Sequence, residues 1–143
     1  MLALVVAIAQ RRPRTLVLVA IAAAAADLSA AALKAAFGVE RPAFRYASPR
    51  PLMHIPHDGA FPSGHAATSF ACATVLSAAV SPSMRRWAAP LLYLLATAIA
   101  FSRVYVGAHW VLDVVAGGLL GVAIALLLLA ADRRRSARPP RSG

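Results

Sequence analysis

Between residues 34 and 113 the chain carries Lys34, Arg41, His65, Arg103, His109 and Asp113, side chains able to bind an oxyanion and move a proton. His109 and Asp113 are four apart, so one helix would show both on one face. There the carboxylate can hold one imidazole nitrogen and leave the other free, an arrangement of nucleophile and orienting group. Lys34, Arg41 and Arg103 offer fixed positive charge, and the planar guanidinium fork suits phosphate oxygens. Ser63 and Gly64 of the PSGH stretch are placed to open a helix, where unbonded N–H groups and the dipole favour an anion. His65 follows directly, within reach of a leaving oxygen that it could protonate. Together these residues point to phosphate chemistry.

The elements that must position them are apolar. Of 143 residues, 60% are hydrophobic and only 14% charged, with a mean hydropathy of +0.69, outside the range of an ordinary soluble domain. A bilayer core asks for about 20 apolar residues per helix. Four segments approach that length: Thr15 to Ala36, Ser63 to Val80, Trp87 to about Val106, and Trp110 to Ala131. The expected fold is therefore an all-α polytopic transmembrane helix bundle of about four full spans plus a partial N-terminal helix. The opening MLALVVAIA is followed by QRRPR, so charge lies after the apolar run, the reverse of a secretory signal. It reads as the cytoplasmic end of a helix whose beginning is missing, with a short surface helix as the alternative. Three regions follow: residues 1–14, a partial helix and cytoplasmic basic loop; 15–131, the membrane domain; and 132–143, a basic cytoplasmic tail expected to be disordered.

The net charge of +10 needs its positions to be interpreted. Ten of the 15 basic residues fall in three clusters, Arg11, Arg12 and Arg14, then Arg85 and Arg86, then Arg133, Arg134, Arg135, Arg138 and Arg141. Clusters that punctuate apolar runs set membrane topology, and placing all three inside gives one consistent orientation. Lys34, Arg41, Arg45, Arg50 and Arg103, with all four histidines, then fall at the outer face. The tail RRRSARPPRSG is short and lacks interleaved aromatics, so no nucleic-acid partner is expected. The connection from Gly38 to Pro62 holds five prolines and reads as an external loop, with Gly38 ending the preceding helix and Pro42 forcing Arg41 toward an extended backbone. Gly117 and Gly121 make a small-xxx-small face for close helix packing.

Three pieces of the chain resemble, position for position, the signature of the type 2 phosphatidic acid phosphatase superfamily. Lys34, Arg41 and Pro42 match K-x6-R-P; Pro62, Ser63, Gly64 and His65 match P-S-G-H; Ser102, Arg103, His109 and Asp113 match S-R-x5-H-x3-D. Family members commonly have six spans, and this chain begins within what corresponds to the second. The resemblance implies that His109 attacks phosphorus to give a phosphohistidine, that Asp113 orients it, and that His65 is general acid and then general base. It assigns Lys34, Arg41, Ser63, Gly64 and Arg103 to the phosphoryl oxygens. No cofactor and no metal are expected, since the fixed cations take a metal ion's role.

The expected function is hydrolysis of a lipid phosphate or diphosphate, first among them a polyprenyl diphosphate such as undecaprenyl diphosphate, at a cell-membrane site facing the extracytoplasmic side. Phosphatidic acid, phosphatidylglycerol phosphate and a polyprenyl-phosphate sugar phosphate are close alternatives. The partners are the lipid substrate and the bilayer, and a homo-oligomer is left open. A vanadate-dependent haloperoxidase would share the oxyanion pocket but is soluble, and a non-catalytic scaffold would leave the constellation unexplained. A metal site from His54, His57, Asp58 and His65 fits no common ligand spacing and would compete for the acid. Asp27, seven residues before Lys34, could pair with another helix, tune Lys34 or mark a hydrated cavity. Cys72 can form no internal disulfide, and Trp87, Trp110 and Tyr46 read as interface anchors.

Overall fold

Pro13 and Pro82 each stand at the start of a long apolar run, a position where proline's fixed φ and missing N–H cost a helix nothing. The computed structural model, which describes residues 13–46 and 55–137, begins helices at both. In chain order these are α1 (Pro13–Phe37), a single turn α2 (Pro42–Arg45), α3 (Gly64–Ala79), α4 (Pro82–Tyr105) and α5 (Val111–Ser136). No strand occurs among the described residues, in keeping with the all-α bundle expected. The partial N-terminal helix, His54, Arg50 and the end of the basic tail lie outside the described residues.

Three stretches, Pro13–Arg45, Pro82–Tyr105 and Val111–Ser136, are long and apolar enough to cross a membrane. The fourth expected span differs: α3 has 16 residues, and a helix of that length reaches about 24 Å against a hydrocarbon core of about 30 Å. It is the central element, packed against α1, α4 and α5. The neighbours rather than lipid surround much of it, so its ends need not reach both interfaces.

The expected basic loop at Arg85 and Arg86 is the first part of α4 instead. Cations near a helix N-terminus oppose its dipole, but Arg85 donates to the carbonyls of Ala78 and Val80, so it serves the end of α3. At the same end of the bundle Arg14 at the start of α1 pairs with Asp132 near the end of α5 at 2.8 Å, and Arg133, Arg134 and Arg135 fill the last turn of α5. The helices thus alternate in direction, with basic clusters at one end and the starts of α3 and α5 at the other.

Small residues make the interior. Ala22, Ala26 and Ala30 of α1 meet Ala67, Ala71 and Val75 of α3 and Ala125 of α5, while Leu28, Leu94, Phe101, Leu119 and Leu127 point outward. In water that distribution would be inverted; in lipid, where apolar side chains gain nothing by hiding, small residues let backbones approach closely. The approach is tightest between α3 and α5. A Cβ at Gly117 would overlap the Ser63 carbonyl oxygen, and one at Gly121 that of Ala67. The glycine pair expected to form a packing face is thus what brings the PSGH turn against the start of α5.

Candidate active site

The site is assembled at helix ends by main-chain contacts. Gly38, at φ 56°, closes α1 with its N–H on the Lys34 carbonyl at 3.0 Å, as a left-handed terminal residue does. The chain then runs extended through Arg41 (φ −78°, ψ 148°) into α2. This segment is fastened to the turn between α4 and α5: the Ala43 N–H donates to the Gly107 carbonyl at 3.0 Å, and the Trp110 indole donates to the Glu40 carbonyl at 2.9 Å. The turn itself hangs on the Arg103 carbonyl, which accepts from the N–H groups of Ala108 and His109.

Arg41 is only 3% exposed, and most of its donors are spoken for. Nε donates to the Asp58 carbonyl at 3.1 Å, Nη1 to the Ala108 carbonyl at 2.8 Å, and Nη2 to the Gly59 carbonyl at 3.4 Å. Nη1 also lies 3.3 Å from His109 Nε2. His109 is itself buried, and its Nδ1 is 2.7 Å from the Ala60 carbonyl oxygen. A carbonyl can only accept, so Nδ1 carries the proton and Nε2 presents its lone pair. Burial first, then the Arg41 charge, push the His109 pKa down to about 4, although the bond to Ala60 works the other way. At neutral pH the imidazole is uncharged and its free nitrogen nucleophilic.

Asp113 does not sit where the spacing argument put it. His109 lies in the turn before α5 and shares no helix with Asp113, because the helix begins only at Val111. The carboxylate bonds to the Trp110 N–H at 2.8 Å, satisfying one of the orphan donors of the α5 start. It is 3.5 Å from His109 Nδ1, but the Nδ1 hydrogen bond goes to Ala60 and a neutral imidazole makes no ion pair with it. No side-chain type signals a main-chain carbonyl, so sequence reasoning could not find Ala60.

Ser63 caps α3, with Oγ accepting from the Ala66 N–H at 3.4 Å, and its own N–H donates to the Asp113 carbonyl at 2.9 Å. The expected helix start at Ser63 and Gly64 is therefore present, with first-turn N–H groups that have no helical acceptor. His65 is exposed and feels the charges of Arg103, Lys34, Arg41 and Asp27. It lines a cleft of about 430 Å³ between α1 and α3 together with Ala23, Ala24, Asp27, Thr68 and Ser69. Of the three readings of Asp27, a place on a cavity wall is the one that the geometry favours. Arg103, whose Nε donates to Ser102 Oγ at 3.1 Å, is near enough for its charge to act on His65.

Asp58 was not singled out as a partner of the cations. Its carboxylate joins Lys34 Nζ at 2.9 Å and Arg41 Nη2 at 2.6 Å. Partial burial works against its charge, but those two cations outweigh it and hold its carboxyl below the usual range. His57 stacks on Phe44 at 4.7 Å. His54, the fourth residue of the metal set considered above, lies outside the described residues; among the described residues no group of three ligand-type side chains forms.

Comparison with known proteins follows the same outline. A sequence model of the PAP2 superfamily matches residues 14–137. An undecaprenyl-diphosphatase of Sulfolobus acidocaldarius is 42% identical over 86 residues, 59% of this chain and 39% of that protein. The putative undecaprenyl-diphosphatase YbjG of Escherichia coli is 39% identical over 71 residues, 50% of this chain and 34% of that protein. The chain thus spans little more than a third of these curated relatives. Aquifex aeolicus LpxE superposes with a TM-score of 0.75 at 28% identity, over 90% of this chain and 75% of that one. The PAP2-type phosphatidylglycerolphosphate phosphatase of Bacillus subtilis superposes with a TM-score of 0.72 at 24% identity, over 87% of this chain and 61% of that one, a likeness of fold.

Proposed function

This chain belongs to the PAP2 superfamily, and on that premise we propose that it is a multi-pass membrane phosphatase that hydrolyses a lipid phosphate or diphosphate through a phosphohistidine. The observation that carries the reading is the buried, neutral His109 with Nε2 turned to the Arg41 guanidinium at 3.3 Å. A phosphoryl group drawn in by Arg41 arrives at the free nitrogen. Arg41 Nη1 leaves Nε2 for a phosphoryl oxygen, and the Nε2 lone pair attacks phosphorus. The bond from phosphorus to the lipid oxygen breaks, and His65 gives its proton to that oxygen. His65 then takes a proton from water, whose oxygen displaces Nε2 and releases inorganic phosphate.

Lys34, Arg41, Arg103, the Ser63 hydroxyl and the Gly64 N–H balance the charge that grows on the phosphoryl oxygens, the role in which preorganised donors contribute most. Asp113 supports His109 indirectly, by holding the Trp110 N–H and so the turn that presents the imidazole.

A polyprenyl diphosphate such as undecaprenyl diphosphate is the favoured substrate. The likeness to the Sulfolobus and Escherichia undecaprenyl-diphosphatases supports this, as does the cleft beside His65, open between α1 and α3 with Ala23 and Ala24 on its α1 side, which suits the prenyl chain of a leaving polyprenyl phosphate. The basic clusters at the opposite helix ends support a site on the extracytoplasmic side of the cell membrane.

The test is phosphate release in detergent from undecaprenyl diphosphate, phosphatidic acid and phosphatidylglycerol phosphate, with His109→Ala as the blank. Release from none of these lipids would defeat the reading, and a preference for a glycerolipid would change the substrate class.

A further inference from the structure

The Lys34–Arg41 pair faces a surface crowded with lipid headgroups, and most of those are phosphodiesters bearing one negative charge. A bare cation pair would bind them indiscriminately. In the structure the pair already holds one negative charge, the Asp58 carboxylate, at 2.9 and 2.6 Å. We infer that Asp58 is a specificity-determining residue, a tethered anion that singly charged phosphodiester headgroups fail to displace and a terminal phosphoryl group does. The inference rests on the reading of Lys34 and Arg41 as phosphoryl-binding residues.

Arg41 does not need the carboxylate to stay in place. Three main-chain carbonyls, of Asp58, Gly59 and Ala108, fix its guanidinium independently. What the Asp58 carboxylate occupies is one donor of Nη2 and, through Lys34, the second cation. Its side chain is 48% exposed while those of Arg41 and Lys34 are 3% and 16% exposed, so it covers the cations from the solvent side and can swing outward.

The tether is short. The Ala60 N–H bonds to the Val39 carbonyl at 2.7 Å, and Gly59 lies so close to α1 that a Cβ there would be 2.8 Å from the Lys34 carbonyl oxygen. A group held this way competes at an effective concentration in the millimolar range. A phosphodiester offers the same single charge without a tether. A terminal phosphoryl group carries a charge of about −1.5 to −2 at neutral pH and three acceptor oxygens, so it outcompetes the carboxylate where the diester does not.

The experiment compares wild type, Asp58→Asn and Asp58→Glu in an uncharged detergent. Tungstate binding is followed by calorimetry, and phosphate release from undecaprenyl diphosphate is followed with and without added phosphatidylglycerol. Asp58→Asn is expected to bind tungstate about fivefold tighter, the size of one partly exposed charge pair. Its KM falls more than its kcat changes, and it becomes inhibited by phosphatidylglycerol levels that wild type ignores. Asp58→Glu, which keeps the charge, binds tungstate like wild type. Tungstate affinity unchanged or weakened in Asp58→Asn overturns the inference, as does equal inhibition of wild type and Asp58→Asn by phosphatidylglycerol. A wild type that releases phosphate from no lipid would instead defeat the phosphatase reading, with the tungstate comparison still standing.

Discussion

His109 Nδ1 donates to the Ala60 carbonyl at 2.7 Å, while the Asp113 carboxylate, 3.5 Å away, is engaged with the Trp110 N–H. The imidazole is thus oriented by the loop that precedes α3 and steadied by the cap of α5, two supports of different kind.

Removing each should have different consequences. His109→Ala is expected to abolish turnover and any covalent phosphoenzyme. Asp113→Asn leaves the Ala60 bond intact and loosens only the turn, so its rate falls by about a hundredfold, the cost of a misplacement on the order of 1 Å. Acid-quenched labelling with radioactive substrate reads both, and a labelled adduct surviving in His109→Ala would overturn the assignment.

The low His109 pKa sets the acid side of the pH profile. The free enzyme keeps the His109 imidazole uncharged down to about pH 4, so a unit-slope fall in log kcat/KM from protonation of His109 is expected only below that pH and not below the ordinary value of about 6.5. The same shift has a stability sign. Folding favours the neutral imidazole, so its contribution is complete above about pH 6.5 and is lost progressively as pH falls toward 4. A His109 imidazole that titrates near the ordinary value of about 6.5 when followed by NMR in detergent would contradict the buried, Arg41-flanked imidazole.

Close packing of α3 on α5 predicts a steep size dependence at two positions. Gly117→Ala and Gly121→Ala each force a carbonyl of α3 to move and should destabilise by about 1–3 kcal/mol, as overpacking does. Gly117→Ala, which displaces Ser63, is expected to lose activity as well. Ala123, exposed on α5, is the control: Ala123→Val should leave thermal unfolding in detergent nearly unchanged.

On the proposed reading Lys34, Arg41 and Arg103 balance the phosphoryl charge without a divalent ion. Activity in excess EDTA is expected to equal that without it; a rate lost to chelation and restored by Mg²⁺ or Zn²⁺ would require a different chemistry.

Much of this arrangement was legible in the residues themselves. The apolar runs and glycine pair gave the bundle and its closest contact, and the helix start at Ser63 and Gly64 followed from their place before an apolar stretch. Arg41 and His109, 68 positions apart in sequence, were brought to one face by the placement of the basic clusters and to one site by the family signature, since spacing says nothing across so long a separation. The two contacts that went unread are of another kind. Ala60 acts through its backbone, which every residue possesses, and Asp58 stood among histidines that suggested metal binding. The length of α3 was overread because enclosure by other helices removes the need to match the bilayer.

Sidedness can be tested apart from catalysis. Glu40 and Ser83 are exposed at opposite ends of the bundle. In a Cys72→Ala background, Glu40→Cys should react with a membrane-impermeant maleimide in intact cells and Ser83→Cys should not. The reverse pattern would put the site in the cytoplasm.

The hydrogen bond from the Ser63 N–H to the Asp113 carbonyl joins two motif segments through main chain alone, at a residue with no exposed surface. Water cannot exchange with such a bond one molecule at a time, and neither partner can be protonated away. Inactivation by denaturant should therefore be all-or-none: activity stays level until α3 and α5 separate, and then disappears in the same transition that releases the helices.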